Sequence, residues 1–325
     1  MPTTPSTLRT PSRAAIAVSL TLLIAIWAIN FLVVKIGLRH LPSLAFASFR
    51  IVAAGFFMIA ITPLCRRLSM FRNQPGGSTT SPLTASHAPL LRDYWTFFYL
   101  GFFGVSINQF CFTLGLRYTN VTHSSIIVGM APIYTLTLAV FLRLEQPTWR
   151  KAIGMAIAFT GIAILASATG IARHHSPTFL GDAITIAGSL GFATYVVLGK
   201  RVAHKYDALT MTTWNFLFGS LLLLPLAVQQ AVALHLLQTW RAIPWQAWAC
   251  VFYTGLFSST IAYLLYYWLL RYLEASQLAS FSYLLPVSAS ALSILFLGER
   301  GSWLELLGGI LALLGVYWIE STRNH

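Results

Sequence analysis

Charge is what this sequence has least of. Only 9% of its 325 residues are Asp, Glu, Lys or Arg, and acids number 8 against 21 bases. Soluble domains carry roughly 25% charged residues, so a chain this poor in charge cannot present a water-facing surface along most of its length. Cysteine is scarce too. Cys65, Cys111 and Cys250 are odd in number and scattered, which excludes a disulfide framework and gives no metal-binding spacing. Catalytic signatures are missing: there is no HExxH, no GxSxG in a turn, no paired Asp and no Walker loop. A polytopic membrane enzyme therefore has no motif in its favour. No cofactor or metal is expected.

What the chain does have is apolar length. It is 57% hydrophobic with a mean hydropathy of +0.71. About ten runs reach the roughly 20 residues that cross a bilayer. They fall at 14–34, 43–63, 94–116, 123–142, 150–169, 179–199, 208–229, 246–270, 276–297 and 302–319. The first follows Arg9 and Arg13, as a signal peptide would, but it stays apolar to Val34 without a small-residue cleavage site and reads as a helix. Residues 1–13 form a Thr, Pro and Ser rich tail. The loop at 66–93 contains a low-complexity stretch, 73–90, expected to be disordered.

The second half repeats the first. Tyr99–Gly161 aligns with Tyr253–Gly315 without a gap, pairing Arg117-Tyr118 with Arg271-Tyr272, Pro132 with Pro286, Glu145 with Glu299, Trp149 with Trp303, and Gly154 and Gly161 with Gly308 and Gly315. Chance matching of apolar residues would not align a Pro, a Glu, a Trp and two Gly in register. Upstream, Lys35 aligns with Lys200 and Arg50 with Asn215. The units expected are 14–170 and 178–319, each of five helices.

The basic excess is a topology signal rather than a nucleic-acid footprint. Arg9, Arg13, Arg66, Arg67, Arg72, Arg92, Arg143, Arg150, Lys151, Lys200, Arg201, Lys205, Arg271 and Arg323 fall on one side of the expected spans. Lys35, Arg39, Arg117, Arg173, Arg241 and Arg300 fall on the other. The positive-inside rule puts both termini in the cytoplasm. Five helices per unit make the two copies enter the membrane from opposite sides. The expected fold class is an all-α polytopic membrane protein of ten transmembrane helices in two inverted five-helix repeats. Such repeats place a substrate site near the midplane.

Arg50 is the one charged residue deep in an expected helix, about 12 Å beyond Pro42 at 1.5 Å per residue. A charge at that depth faces a bundle interior or an aqueous cavity. Two readings stand: a structural tie to a neighbouring backbone, or a contact to an anionic substrate group. Other polar and aromatic positions share faces at helical spacing. They are Trp27 and Asn30, Gln109, His123, Tyr195, Trp214 and Asn215, Tyr263, and Gln277 and Tyr283. These define the expected substrate site; the alternative for each is interhelical hydrogen bonding. Pro132 and Pro286 are expected inside their helices as kinks suited to gating, with a static bend as the alternative. The small-residue faces at Gly154/Ala158 and Gly308/Ala312 suit contacts within the bundle or between protomers, so monomer and homodimer both stay open.

AIWAINFLVVK in the first helix, SFR in the second, the blocks around Pro132 and Pro286, and LFLGERGSWLELLGGILALLGVY (295–317) with its weaker copy FLRLEQPTWRKAIGMAIAFTGIA (141–163) resemble the drug/metabolite transporter superfamily, in particular its EamA-type members. The resemblance covers residues 14 to 319. It implies export of small metabolites, amino acids among them, across the bacterial inner membrane without ATP hydrolysis. It also places an acid at Glu145 and Glu299, where capping or pairing with the next helix is expected. Small multidrug exporters resemble one repeat and use a carboxylate in their first helix; Asn30 stands in that helix here, which disfavours proton-coupled export of cations. The expected partners are a small-molecule substrate and the lipid bilayer, with no nucleic acid. A sugar-phosphate or nucleotide-sugar transporter is the alternative on the same fold.

Overall fold

The structure, a computed structural model, describes residues 12–66, 91–118, 124, 127–146, 148–168, 179–203, 205–285, 287–288 and 303–321. His123, Pro286, Glu299, the tail before Ser12 and the 73–90 stretch lie outside the described residues, as do the side chains of Lys35 and Glu305.

All regular elements among the described residues are helical. They are α1 (Arg13–Gly37), α2 (Ser43–Cys65), α3 (Leu91–Tyr118), α4 (Ala131–Phe141), α5 (Trp149–Ala168), α6 (Phe179–Val202), α7 (Ala208–Ala233), α8 (Trp245–Leu270), α9 (Ala275–Ser280) and α10 (Trp303–Ser321). A single turn, Leu236–Thr239, precedes α8. Six described helices, α1, α2, α3, α6, α7 and α8, are long and apolar enough to cross a membrane. Their starts follow local chemistry. The Ser12 hydroxyl accepts from Ala15 N at 3.1 Å to cap α1. The Asp207 carboxylate accepts from Thr210 N at 3.3 Å to cap α7. Each satisfies an amide that the first turn leaves without a helical acceptor.

The outside of the bundle is apolar. Leu22, Phe56, Ile59, Leu221, Val228, Leu306 and Leu313 are exposed. In water such a surface would aggregate; in a bilayer it is the solvated one. Trp149, Trp245 and Trp303 stand exposed at helix starts, where indole rings sit at the membrane–water boundary.

Aligned elements make aligned contacts. Both α3 and α8 contain a stretch of π-helix, Gly101–Ile107 and Thr254–Ile261, at positions that the repeat superimposes. Within these stretches Ser106 Oγ donates to Gly219 O of α7 at 3.0 Å, and Thr260 Oγ1 donates to Ala54 O of α2 at 3.2 Å. Ser106 and Thr260 are repeat equivalents, and so are Gly219 and Ala54. The helices α5 and α10 cross so closely that their backbones touch. A Cβ on Gly161 would come within 2.5 Å of Ala312 N, and one on Gly315 within 2.4 Å of Ala158 N. The small-residue faces that could have served either bundle or protomer contacts therefore pack on each other inside one chain.

Pro132 lies inside the apolar helical stretch Ile127–Phe141, where a turn at Met130 separates residues 127–129 from α4. Its missing N–H goes with this break in the ladder, the irregularity a proline causes inside a helix.

Candidate functional site

Two aligned π-helical stretches lie in the middle of α3 and α8. A widened turn offsets the backbone register, and such turns concentrate at functional positions. Around them α1, α2, α3, α6 and α8 bring together Trp27, Arg50, Gln109, Tyr195, Ser259 and Tyr263.

Arg50 is 3% exposed. Its Nη2 lies 3.5 Å from Ser259 Oγ, the outer edge of hydrogen-bonding range. Nε and Nη1 have no hydrogen-bond partner among the described residues. The Ser259 hydroxyl donates to Gln109 Oε1 at 2.9 Å, and Gln109 Nε2 is left buried without a partner among the described residues. Nearby, the Tyr263 hydroxyl reaches Asn108 Oδ1 at 3.2 Å and Gly104 O at 3.3 Å. Gly104 is bare because a Cβ there would come within 2.0 Å of the Tyr195 ring.

An aromatic wall adjoins the guanidinium. Trp27 Nε1 donates to Ser258 O at 3.1 Å, one residue from the Ser259 that meets Arg50. The Trp27 ring lies 6.0 Å from those of Phe192 and Tyr263 and 5.6 Å from Tyr266. Tyr195 packs on Tyr263 at 5.7 Å and on Tyr267 at 5.1 Å. An apolar cleft lined by Leu23, Trp27, Phe192, Tyr266, Leu278 and Phe281 runs along this wall. Asn30 is buried with Oδ1 unpartnered among the described residues. Asn215 donates through Nδ2 to the Tyr267 hydroxyl at 3.4 Å.

Three expected positions lie apart from this cluster in their recorded contacts. Trp214 packs edge-on to Tyr94 at 4.7 Å and near Phe218 at 6.0 Å. Gln277 serves the start of α9, its Oε1 accepting from Glu274 N at 3.3 Å in a capping box. Tyr283 is fully buried with Leu136, Met155 and Ile162. Ser259 lies in this cluster, on the polar stripe of α8 that also carries Tyr263, and Tyr266 and Tyr267 join it although they are not among the expected site positions. Tyr263, Tyr266 and Tyr267 follow i, i+3, i+4 spacing, the signal that places them on one face.

A second polar group ties helix ends together. Lys151 Nζ pairs with Glu145 at 3.2 Å and also with Glu274. Glu145 Oε1 accepts from Ser276 N at 3.2 Å, and its other oxygen accepts from the Ser276 hydroxyl. Lys200 Nζ donates to Leu270 O at 2.5 Å and Leu273 O at 2.6 Å, capping the C-terminus of α8. At the same end Lys205 Nζ contacts both Asp93 oxygens at 2.8 Å, and this bonding holds its ammonium above the usual lysine range. Glu145 thus pairs with the next helix, as expected, and reaches α9 as well.

Apolar helices around a polar interior define a polytopic integral membrane protein. The profile of the EamA-like transporter family matches residues 15–167 and 179–321. The chain belongs to the EamA-like transporter family. It is similar to an uncharacterized transporter of Archaeoglobus fulgidus, 26% identical over 97% of this chain and 99% of that protein. A probable amino-acid metabolite efflux pump of Salmonella typhimurium is 24% identical over 91% of each chain. A probable terminal-alkyne amino-acid exporter of Streptantibioticus cattleyicolor is 26% identical over 71% of this chain and 75% of its own. A solved crystal structure superposes with a TM-score of 0.70 at 17% identity, covering 96% of this chain and 99% of the other, and shares the fold.

Proposed function

We propose that this transporter exports small carboxylates, amino acids foremost, across the bacterial inner membrane by alternating access. One observation carries the substrate reading: a guanidinium in the middle of the bundle with Nε and Nη1 unpartnered among the described residues. A buried charge with no protein counter-ion is costly, and an incoming carboxylate offsets that cost through charge-assisted bonds. The structural alternative, Arg50 tying α2 to a neighbouring carbonyl, has no recorded bond behind it. Asn30 supplies an acceptor for an ammonium group, and the aromatic wall packs the side chain. A lone deep guanidinium suits a carboxylate better than the doubly charged phosphate of a sugar phosphate or nucleotide sugar. The two names with an amino-acid substrate among the relatives agree with this direction.

Alternating access rests on the inverted-repeat reading: ten spans, five in 14–170 and five in 178–319, with both termini cytoplasmic. The aligned π-helical stretches and the paired Ser106–Gly219 and Thr260–Ala54 bonds support it. Exchange of conformation between similar halves then opens the site to each side in turn. His123 stays within the proposal as a substrate-facing position and Pro132 and Pro286 as gating positions, with Asn215 beside the aromatic wall. No chemical step is proposed; the chain acts as a carrier.

Counterflow in liposomes across a panel of labelled amino acids tests the reading. Arg50→Lys keeps charge but loses the planar fork and should weaken uptake. Arg50→Gln should lower it about 10- to 100-fold for free carboxylates, as loss of a charged hydrogen bond does, while methyl esters change little. Unchanged uptake in a folded Arg50→Gln protein would remove Arg50 from the site.

A further inference from the structure

We infer that Ser259 is a positioning residue that fixes the polarity of the face around Arg50, so that this end of the site presents donors, accepts a carboxylate and rejects the matching amide. The inference rests on the proposed contact between Arg50 and a carboxylate.

A guanidinium has donors and no acceptor. Where Arg50 Nη2 faces Ser259 Oγ, the serine must turn a lone pair towards it. Its single O–H is then directed elsewhere, and Gln109 Oε1 stands 2.9 Å away to accept it. With its carbonyl oxygen held by Ser259, Gln109 turns its amide nitrogen the other way. That nitrogen is buried and faces the Tyr263 hydroxyl without completing a bond within hydrogen-bonding geometry, so its N–H groups, like Arg50 Nε and Nη1, are left to donate. The three free groups are all donors. A carboxylate offers only acceptors and matches them. A primary amide brings an NH₂ that meets donors, and a buried donor facing donors loses its hydrogen bonds.

Gln109 could by itself present either end of its amide. Ser259 decides which, and Arg50 decides how Ser259 points. The hydroxyl belongs to the π-helical stretch of α8, and Gln109 lies two residues beyond that of α3. The two aligned irregularities thus deliver the two halves of one selectivity device.

The test uses the full-length protein in liposomes. Counterflow is measured for the best-transported of the labelled L-amino acids and for its primary amide. Ser259→Ala frees Gln109 to rotate. Carboxylate uptake should fall about tenfold while amide uptake rises, so the carboxylate-to-amide preference collapses from both sides. Ser259→Thr keeps the hydroxyl and should restore the preference. In a Gln109→Ala background, Ser259→Ala should add less than twofold, since the residue it positions is gone. A structural serine would lower both substrates together and would add its loss in that background. Equal losses for acid and amide, or full additivity with Gln109→Ala, would overturn the inference. If Ser259→Ala does not fold, the comparison of Gln109→Ala with Gln109→Glu decides: the acid should reject carboxylates more strongly than the truncation, and equal uptake by the two would refute a pocket polarised at Gln109. A preference that survives Ser259→Ala but is lost in Arg50→Gln sinks only this inference. If it survives Arg50→Gln, or if wild type moves no amino acid, the carboxylate reading itself fails.

Discussion

Two charged regions of this molecule are built on opposite terms. At one end of the bundle Glu145, Lys151, Glu274 and Ser276 satisfy one another, and Lys200 and Lys205 find carbonyls and Asp93. In the middle, Arg50 is at least as deeply buried yet keeps two of its three nitrogens without a partner among the described residues. A fold that can pair buried charge so fully at its ends has left it unpaired at its centre. The end network holds helices in place. The centre is poised for something that arrives.

The comparison is sharpened by removing one cation from each region. Lys151→Met leaves Glu145, 7% exposed, without its counter-charge. The expected loss is about 3 kcal/mol, the low end for breaking a buried pair because Glu274 is half exposed and partly hydrated. Thermal unfolding in detergent should show it as a clear drop. Arg50→Met is the matching change in the centre. It strands no anion and removes a desolvated charge, so the unfolding temperature should hold or rise while carboxylate transport is lost. Equal destabilisation by both substitutions would erase the distinction and return Arg50 to a structural role.

Much of this was readable before any coordinates. The repeat follows from Pro132, Glu145, Trp149 and the paired glycines, because packing at aligned positions needs the same residue types. Arg50 stood out because a charge inside an apolar run has few physical explanations. A tie from Glu145 to the next helix was readable because the two are close in sequence, while Lys151 as its partner comes from the structure. The reach of Glu145 to Ser276, and of Ser259 to Gln109, could not be read in the same way. Both depend on where distant helices cross, and Ser and Gln are equally at home in interhelical bonds anywhere. The π-helical stretches were invisible too: their sequences, GFFGVSI and TGLFSSTI, look like any small-residue helix, and the extra residue per turn is set by the helices they pack against. Tyr266 and Tyr267 were hidden for another reason. An aromatic in an apolar run signals neither face nor function until its neighbours are known.

Trp214 gives the smallest and most discriminating effect. Repeat symmetry places it beside Asn215, opposite Phe49 and Arg50, and so within the expected site. Its ring partners are Tyr94 and Phe218, and Tyr94 is adjacent to the Asp93 that pairs with Lys205, although Trp214 also borders the large apolar cluster that holds Tyr195 and Tyr263. By ring contact, then, Trp214 belongs with the tied end rather than with the open centre. Trp214→Phe keeps an aromatic ring on Tyr94 and removes only the indole's extra bulk. Affinity for the transported carboxylate should change less than twofold, and the acid-to-amide preference should not move, while the unfolding temperature drops slightly as edge-on packing loosens. Binding measured by competition in counterflow and unfolding measured on the same preparation separate the two assignments. A marked loss of affinity at unchanged stability would carry Trp214 across the boundary and widen the centre towards α3 and α7.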